Sequence, residues 1–227
     1  MQLAPLIPAK AGIQSFFFWV PAFAGTSGGR GNAYQFGLRS LLGLCVLSFV
    51  ALADNSMAQN LSLEERVQQC GGCHGEDGNS KLEKIPSLAG QPAFFTLNQL
   101  VLMREGVRKV EPMMPFVKDL TDSDIQGLAE HFAKLTPQAS DEKIDPALVE
   151  RGAKIAAQRR CASCHLPNLA GQEQMPRLAK QRVDYMIMAM TDYLKDQRTG
   201  ADTAMTAAIF GLSGEDIIAL AHYAASK

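Results

Sequence analysis

The sequence has few aromatic residues, almost no net charge and few cysteines, and these shortages argue against several classes of protein. Of its 227 residues only 7% are aromatic and a single one is tryptophan, and the formal net charge is −1. A chain without an excess of basic residues gives no general reason to expect a nucleic-acid partner. Four of the five cysteines fall in two short motifs, so no set remains that could build a disulfide framework.

The sequence also has no apolar run of about 20 residues, the length that crosses a bilayer. The apolar run at residues 41–52 follows Arg39 and precedes the small residues Ser56 and Ala58. This layout is typical of a secretory signal peptide, with an uncleaved anchor as the alternative. We expect Sec-dependent export to the periplasm and cleavage after Ala58, so that residues 1–58, an N-terminal extension plus the signal peptide, are absent from the mature protein.

Two segments upstream of the apolar run nearly repeat each other, IPAKAG at residues 7–12 and VPAFAG at residues 20–25. A signal peptide has no need of such a repeat. We interpret this stretch as translated intergenic DNA, with the true translation start further along the chain than Met1.

The remainder of the chain is a duplication. The paired segments are CGGCH (70–74) with CASCH (161–165), IPSLAGQ (85–91) with MPRLAKQ (175–181), and LTDSDIQGLAEHFA (120–133) with LSGEDIIALAHYAA (212–225). Only two copies of a long unit are present, which favours two domains over a repeat array. We predict a first half at residues 59–138 and a second half at residues 147–227, joined by a polar, proline-flanked linker at 139–146.

Each half has the pattern of an all-α fold, since alternating strand patterns are absent. Capping residues are expected to start the outer helices: Ser62 with Glu65, Asp145 before Pro146, Thr121 with Asp124, and Ser213 with Asp216. A middle helix is predicted from Pro92 to about Glu105, and its counterpart from about Arg182 to Gln197. A helical unit of this size has a thin core and usually needs a metal, a disulfide or a cofactor to stabilise it.

The Cys-x-x-Cys-His motifs indicate what that cofactor is. Zinc ribbons place their cysteine pairs about 15–20 residues apart, and redox dithiols accompany a βαβ pattern, so neither alternative fits. The motif is the attachment signal of c-type haem, in which two cysteines form thioethers and the histidine meets the iron. We therefore predict two covalent haem c groups, held by the cysteines of the two motifs, with His74 and His165 as axial ligands; those cysteines are Cys70, Cys73, Cys161 and Cys164.

Methionine is the usual second axial ligand of an electron-transfer haem. Met205 stands seven residues before Leu212, in what the pattern predicts to be a loop. The same offset before Leu120 selects Met113, and the adjacent Met114 is the alternative. Bis-histidine ligation by His131 and His222 is a weaker alternative than packing or surface roles for these two side chains.

The proximal histidines also need a partner for the second ring nitrogen, because that hydrogen bond sets the tautomer and basicity of the ligand. Pro86 lies 12 residues after His74, and Pro176 lies 11 residues after His165. We expect the backbone carbonyls of these prolines to accept the bond; a plain helix-start role is the alternative.

The segments CGGCHGEDGNS, PSLAGQ, RKVEPMMPF and LTDSDIQGLAEHF resemble the dihaem cytochrome c4 family over residues 61–227. The resemblance implies tandem class I cytochrome c domains, His/Met coordination of both irons, and haem propionate edges that face each other across a pseudo-twofold interface. It also implies electron delivery from a quinol–cytochrome c oxidoreductase or a dehydrogenase to a terminal oxidase of the respiratory chain. We expect a monomeric electron carrier that is not an enzyme, and leave peripheral membrane association open.

Two other functions compete with this interpretation. One is the haem-bearing electron-transfer subunit of a periplasmic dehydrogenase. The other, which the paired methionines disfavour, is a dihaem peroxidase, since such an enzyme needs an iron with an open or displaceable face.

Overall fold

A computed structural model describes residues 61–200 and 203–227 of the chain. The predicted signal peptide and the start of the mature chain lie outside these residues. The described helices are α1 (Leu63–His74), α2 (Ala93–Arg104), α3 (Met114–Val117), α4 (Asp122–Ala133), α5 (Pro146–Gln158), α6 (Ala162–His165), α7 (Val183–Leu194), α8 (Thr203–Ile209) and α9 (Gly214–Ala225). The only strand-like pairing among the described residues is an isolated bridge between Gln172 and Met175, which confirms the all-α prediction there.

The helix starts follow from the capping residues that the sequence predicts. Ser62 and Glu65 form a reciprocal capping box at α1, and Asp145 accepts a hydrogen bond from the backbone N–H of Ala147 at the start of α5. Thr121 and Ser213 form the same kind of box with Asp124 and Asp216. Each cap satisfies backbone donors that a helix start otherwise leaves unpaired, a contribution of about 1 kcal/mol. The predicted capping residues are thereby confirmed.

The last helix of each half packs against the first and the middle helix of the same half. In the first half α4 lies against α1 and α2, and in the second half α9 lies against α5 and α7. The core of the first half consists of Met103, Val117, Leu120, Ile125, Leu128 and Phe132. In the second half α9 supplies small residues to its packed face, including Ala219, Ala221, Ala224 and Ala225.

Both predicted middle helices are present, slightly shorter than expected, as α2 and α7. The prediction of a loop around Met205 is wrong, because Met205 lies inside the helix α8. The sequence reasoning also left out α3, which begins directly after Met113. Both additional helices are short, and stretches of four and seven residues carry too few turns for a periodic pattern to identify them.

None of the described helices is by itself long and apolar enough to cross a bilayer. The pair α8 and α9 reaches the required length and composition only when taken together, and it is bent by 110° at the break.

The close packing of α5 against α9 is predicted to depend on Gly152. A Cβ atom at this position of α5 would overlap the carbonyl oxygen of Ala219 in α9. We expect Gly152→Ala to lower the free energy of unfolding by about 1–3 kcal/mol, because overpacking forces the two helices apart. Gly214→Ala is the matched control, since a Cβ there meets nothing within 4 Å. Thermal unfolding of both variants measures the effect, and equal midpoints would contradict the assigned contact.

A second prediction concerns acid stability. The backbone N–H and hydroxyl of Ser213, followed by the Arg151 guanidinium, hold the pKa of Asp216 below its usual value. A carboxyl with a lowered folded-state pKa stabilises the fold above its unfolded pKa of about 3.9 and loses that effect as the pH falls through the folded value. Asp216→Asn should therefore unfold at a lower temperature than the unaltered protein at pH 7, and the difference should close below about pH 4. A difference that stays constant through the acid range would show that the charge is not involved.

Candidate haem sites

The first cysteine motif lies entirely within α1. Cys70 is partly buried against the core of the first half, and Cys73 on the next turn is exposed. The helix ends at His74, and Gly75 follows with a positive φ of 87°. Glycine is required there, because a Cβ atom at this position would clash with the backbone of Asn79. The local fold therefore places two thiols and one imidazole on a single helical end.

The second motif reaches a similar arrangement through a broken helix. α5 ends at Gln158, Arg160 takes a positive φ of 56°, and the short α6 then carries the motif to His165. Leu166 follows with φ of 69°, where the first half has a glycine. The four motif cysteines form no disulfide with one another, so all four thiols are available for thioether bonds.

Both motif histidines are buried and held by a backbone carbonyl. His74 is 6% exposed and its Nδ1 donates to the carbonyl oxygen of Pro86 at 2.8 Å. His165 is also 6% exposed and donates to Pro176 at 2.9 Å. The structure thus joins each predicted histidine to the predicted proline.

Burial controls the protonation of these imidazoles. It lowers the pKa of both His74 and His165, and the hydrogen bond to the proline carbonyl opposes this only in part. A neutral imidazole with its proton on Nδ1 presents the lone pair of Nε2, the form that binds metals. Two thiols, one such imidazole and an adjacent thin core fit the chemistry of a covalently attached iron porphyrin in each half.

The predicted sulfur ligands lie at matching places in the two halves. Met113 and Met114 both pack, partly buried, against the core of the first half, at the start of α3. Met205 is partly buried in α8, the helix that precedes α9. The packing alone does not separate Met113 from Met114.

The two remaining histidines have structural contacts of their own. Nδ1 of His222 accepts a hydrogen bond from the backbone N–H of Asp145 at 3.2 Å, which connects α9 to the start of α5. The ring of His131 packs edge-on against Phe132, with ring centroids 5.2 Å apart. These contacts account for both side chains without iron ligation.

The segments that hold the two histidines also join the two halves. Gln181 Nε2 donates to the carbonyl oxygen of Ser87 at 2.9 Å, and Gln181 Oε1 accepts from the Ser87 N–H at 2.8 Å. Gln91 forms the reciprocal pair with the backbone of Arg177, with both distances at 3.0 Å. The alignment of the two halves pairs these glutamines with each other, but the sequence alone suggested no role for them. Glutamine recurs five residues after each proline, and this repetition is the sequence feature that could have pointed to a shared role.

Arg177 is a third interface residue, beside Gln91 and Gln181, to which the sequence assigned no role. It is 3% exposed, and its Nε has no hydrogen-bond partner among the described residues. Its side chain reaches the carbonyl oxygens of Ala179 and Ser87, and burial lowers its pKa to about 10. No carboxylate forms an ion pair with it in the part of the chain that the structure describes. A buried cation of this kind is suited to an anionic group of a cofactor.

Comparisons with known proteins agree with this geometry. Residues 149–226 match the family model described as cytochrome c, and residues 64–132 match the model of cytochrome c oxidase, cbb3-type, subunit III. The chain is 34% identical to cytochrome c4 of Azotobacter vinelandii over 68% of this chain and 82% of that protein. It superposes on the crystal structure of reduced cytochrome c4 from Pseudomonas stutzeri with a TM-score of 0.66 and 30% identity, covering 73% of this chain and 98% of that one.

A further structural match is a thiosulfate dehydrogenase from Marichromatium purpuratum. The TM-score is 0.60 at 27% identity, and the match covers 69% of this chain and 36% of the other. The likeness therefore concerns about a third of that protein.

Proposed function

The chain belongs to the cytochrome c4 family, and from this premise we propose that it carries single electrons in the periplasm between a quinol–cytochrome c oxidoreductase or a dehydrogenase and a terminal oxidase. Its tandem cytochrome c domains carry covalently bound haem c through Cys70, Cys73, Cys161 and Cys164. It is thus a dihaem electron-transfer cytochrome. The periplasmic location and the place in a respiratory chain are the part that we propose.

The observation that carries the proposal is the duplicated buried imidazole. Each motif histidine is buried, neutral and oriented through Nδ1 by a carbonyl from its own half. An electron carrier needs ligands that stay in place when the iron changes oxidation state, and a ring held by a backbone hydrogen bond meets that need.

We assign the axial ligands accordingly. His74 and Met113 would hold the iron of the first half, and His165 and Met205 that of the second, with Met114 as the alternative to Met113. Pro86 and Pro176 would orient the imidazoles, and Arg177 would neutralise a haem carboxylate at the interface. The bound haem supplies the one-electron exchange between ferrous and ferric iron.

Export is part of the proposal. We place the mature N-terminus at Gln59, directly after the predicted cleavage site at Ala58. Attachment of c-type haem outside the bacterial cytoplasm would then follow secretion of the unfolded chain.

One observation favours a second candidate function, that of the haem-bearing electron-transfer subunit of a periplasmic dehydrogenase. The matched thiosulfate dehydrogenase contains a part whose fold resembles this chain. In that case the chain would form a stable complex with the catalytic part of the dehydrogenase, and the same two haems would accept electrons within that complex.

The assignment of function can be tested with the purified, haem-loaded protein in its reduced form. Membranes of the producing organism should oxidise both haems in an oxygen-dependent, cyanide-sensitive reaction. Stable co-purification with a dehydrogenase that reduces both haems, and no oxidation by the membranes, would favour the dehydrogenase subunit instead. Peroxide turnover with high-spin haem would contradict both.

Substitution of the methionines distinguishes Met113 from Met114 as the axial ligand of the first half. Met113→Ala and Met205→Ala should each remove half of the weak far-red absorption band of His/Met haem and lower one reduction potential, since methionine ligation raises it. Met114→Ala is the matched control and should keep the full band. A loss in Met114→Ala with no loss in Met113→Ala would overturn the assignment of Met113.

A further inference from the structure

We propose that Gln91 and Gln181 act as positioning residues across the interface, each tuning the reduction potential of the haem in the opposite half. This inference rests on the proposed ligation by His74 and His165. It concerns the hydrogen bonds that continue from each histidine, through one peptide group, to a glutamine of the other half.

The first such connection runs through the peptide group between Pro86 and Ser87. Its carbonyl oxygen accepts the Nδ1 proton of His74 at 2.8 Å, and its N–H donates to Oε1 of Gln181 at 2.8 Å. Both bonds therefore involve one conjugated amide. Donation by the N–H places more negative charge on the oxygen and makes it a better acceptor, as in any chain of hydrogen bonds.

The second connection is the same arrangement with the halves exchanged. The carbonyl oxygen of Pro176 accepts the Nδ1 proton of His165 at 2.9 Å, and the N–H of Arg177 donates to Oε1 of Gln91 at 3.0 Å. The linked glutamine lies 107 positions from His74 in the first case and 74 positions from His165 in the second, yet only one peptide group separates it from the imidazole in space.

The glutamine amides have little freedom to leave these positions. Gln91 is 4% exposed and Gln181 is 2% exposed. Each Nε2 donates to the carbonyl of the same residue whose N–H is bound by Oε1, which closes a pair of hydrogen bonds and fixes the amide orientation. Removing the amide costs two hydrogen bonds at Gln91 and three at Gln181, whose Oε1 also accepts from the Arg182 N–H at 3.0 Å, so both amides are held firmly against the peptide.

The consequence for the haem follows from ligand basicity. A stronger acceptor at Nδ1 makes the imidazole more electron-rich and so favours the ferric over the ferrous iron. Removing Oε1 of Gln181 should weaken this effect at His74, and removing Oε1 of Gln91 should weaken it at His165. The expected effect is crossed, because each substitution acts on the haem of the other half.

The test uses the full haem-loaded protein and a redox titration followed by the haem methyl resonances, which report each half separately. Gln181→Met, similar in length but without hydrogen bonds, should raise the potential of the haem bound at His74 and leave the other unchanged. Gln91→Met should do the reverse. In the reduced protein, the Nδ1 proton resonance of the affected histidine should move upfield in the same crossed pattern.

Three further variants separate tuning from support of the interface. Gln181→Glu keeps an acceptor oxygen for the Ser87 N–H in either protonation state, so the potential at His74 should return to its original value or fall below it. Gln181→Asn withdraws the amide by one methylene and serves if the methionine variant does not fold. Thr199→Val is the control, because it removes a hydrogen bond between the halves, from the Lys109 N–H at 3.1 Å, that touches neither proline segment.

A shift in the haem of the same half, an equal shift of both haems, or no shift in a fully loaded His/Met protein would overturn the inference. So would a crossed shift of the same size in Thr199→Val. Failure of the ligand assignment would look different, since the unaltered protein would then lack two low-spin haems with separate titrations.

Discussion

The hydrogen bond from each motif histidine to a proline carbonyl holds the imidazole in place and ties it to the segment that joins the two halves. A buried imidazole is costly unless its polar atoms are bound, and here the carbonyl of Pro86 or Pro176 binds one nitrogen, while the other is the nitrogen that we propose to bind iron. The chain between each cysteine motif and its proline is largely irregular and held by tight turns. These turns bring the proline carbonyl within hydrogen-bond distance of the histidine Nδ1.

The same segments also build the contact between the two halves. The residue after each proline is bound at both backbone atoms by a glutamine of the other half, so the histidine supports and the interface share their peptide groups. The duplicated halves are consequently joined at the places where their cofactors are oriented. Arg177 is buried beside this contact without a carboxylate partner among the described residues, and it adds a positive charge to the interface.

Many features of the fold and of the candidate haem sites could be predicted from the sequence, because they depend on residues that are close together in the chain. Capping residues, cysteine motifs and the histidine–proline spacing act over a few residues, and a duplicated pattern makes each of them visible twice. The parts that were missed depend on tertiary packing: α8 around Met205 is too short for a periodic signal, and the partners of Gln91 and Gln181 lie in the other half. Positive φ angles at Arg160 and Leu166 were likewise invisible, since their side chains are not of the kind that predicts a left-handed turn.

We propose that each half encloses one covalent haem whose iron is bound by a buried histidine and a methionine. Intact-protein mass spectrometry of the purified protein, combined with its absorption spectrum in both redox states, tests this directly. We expect two haems per chain, no free motif thiols, and low-spin spectra with the far-red band in the oxidised form. A chain with one haem or none, or with free thiols in either motif, would contradict it.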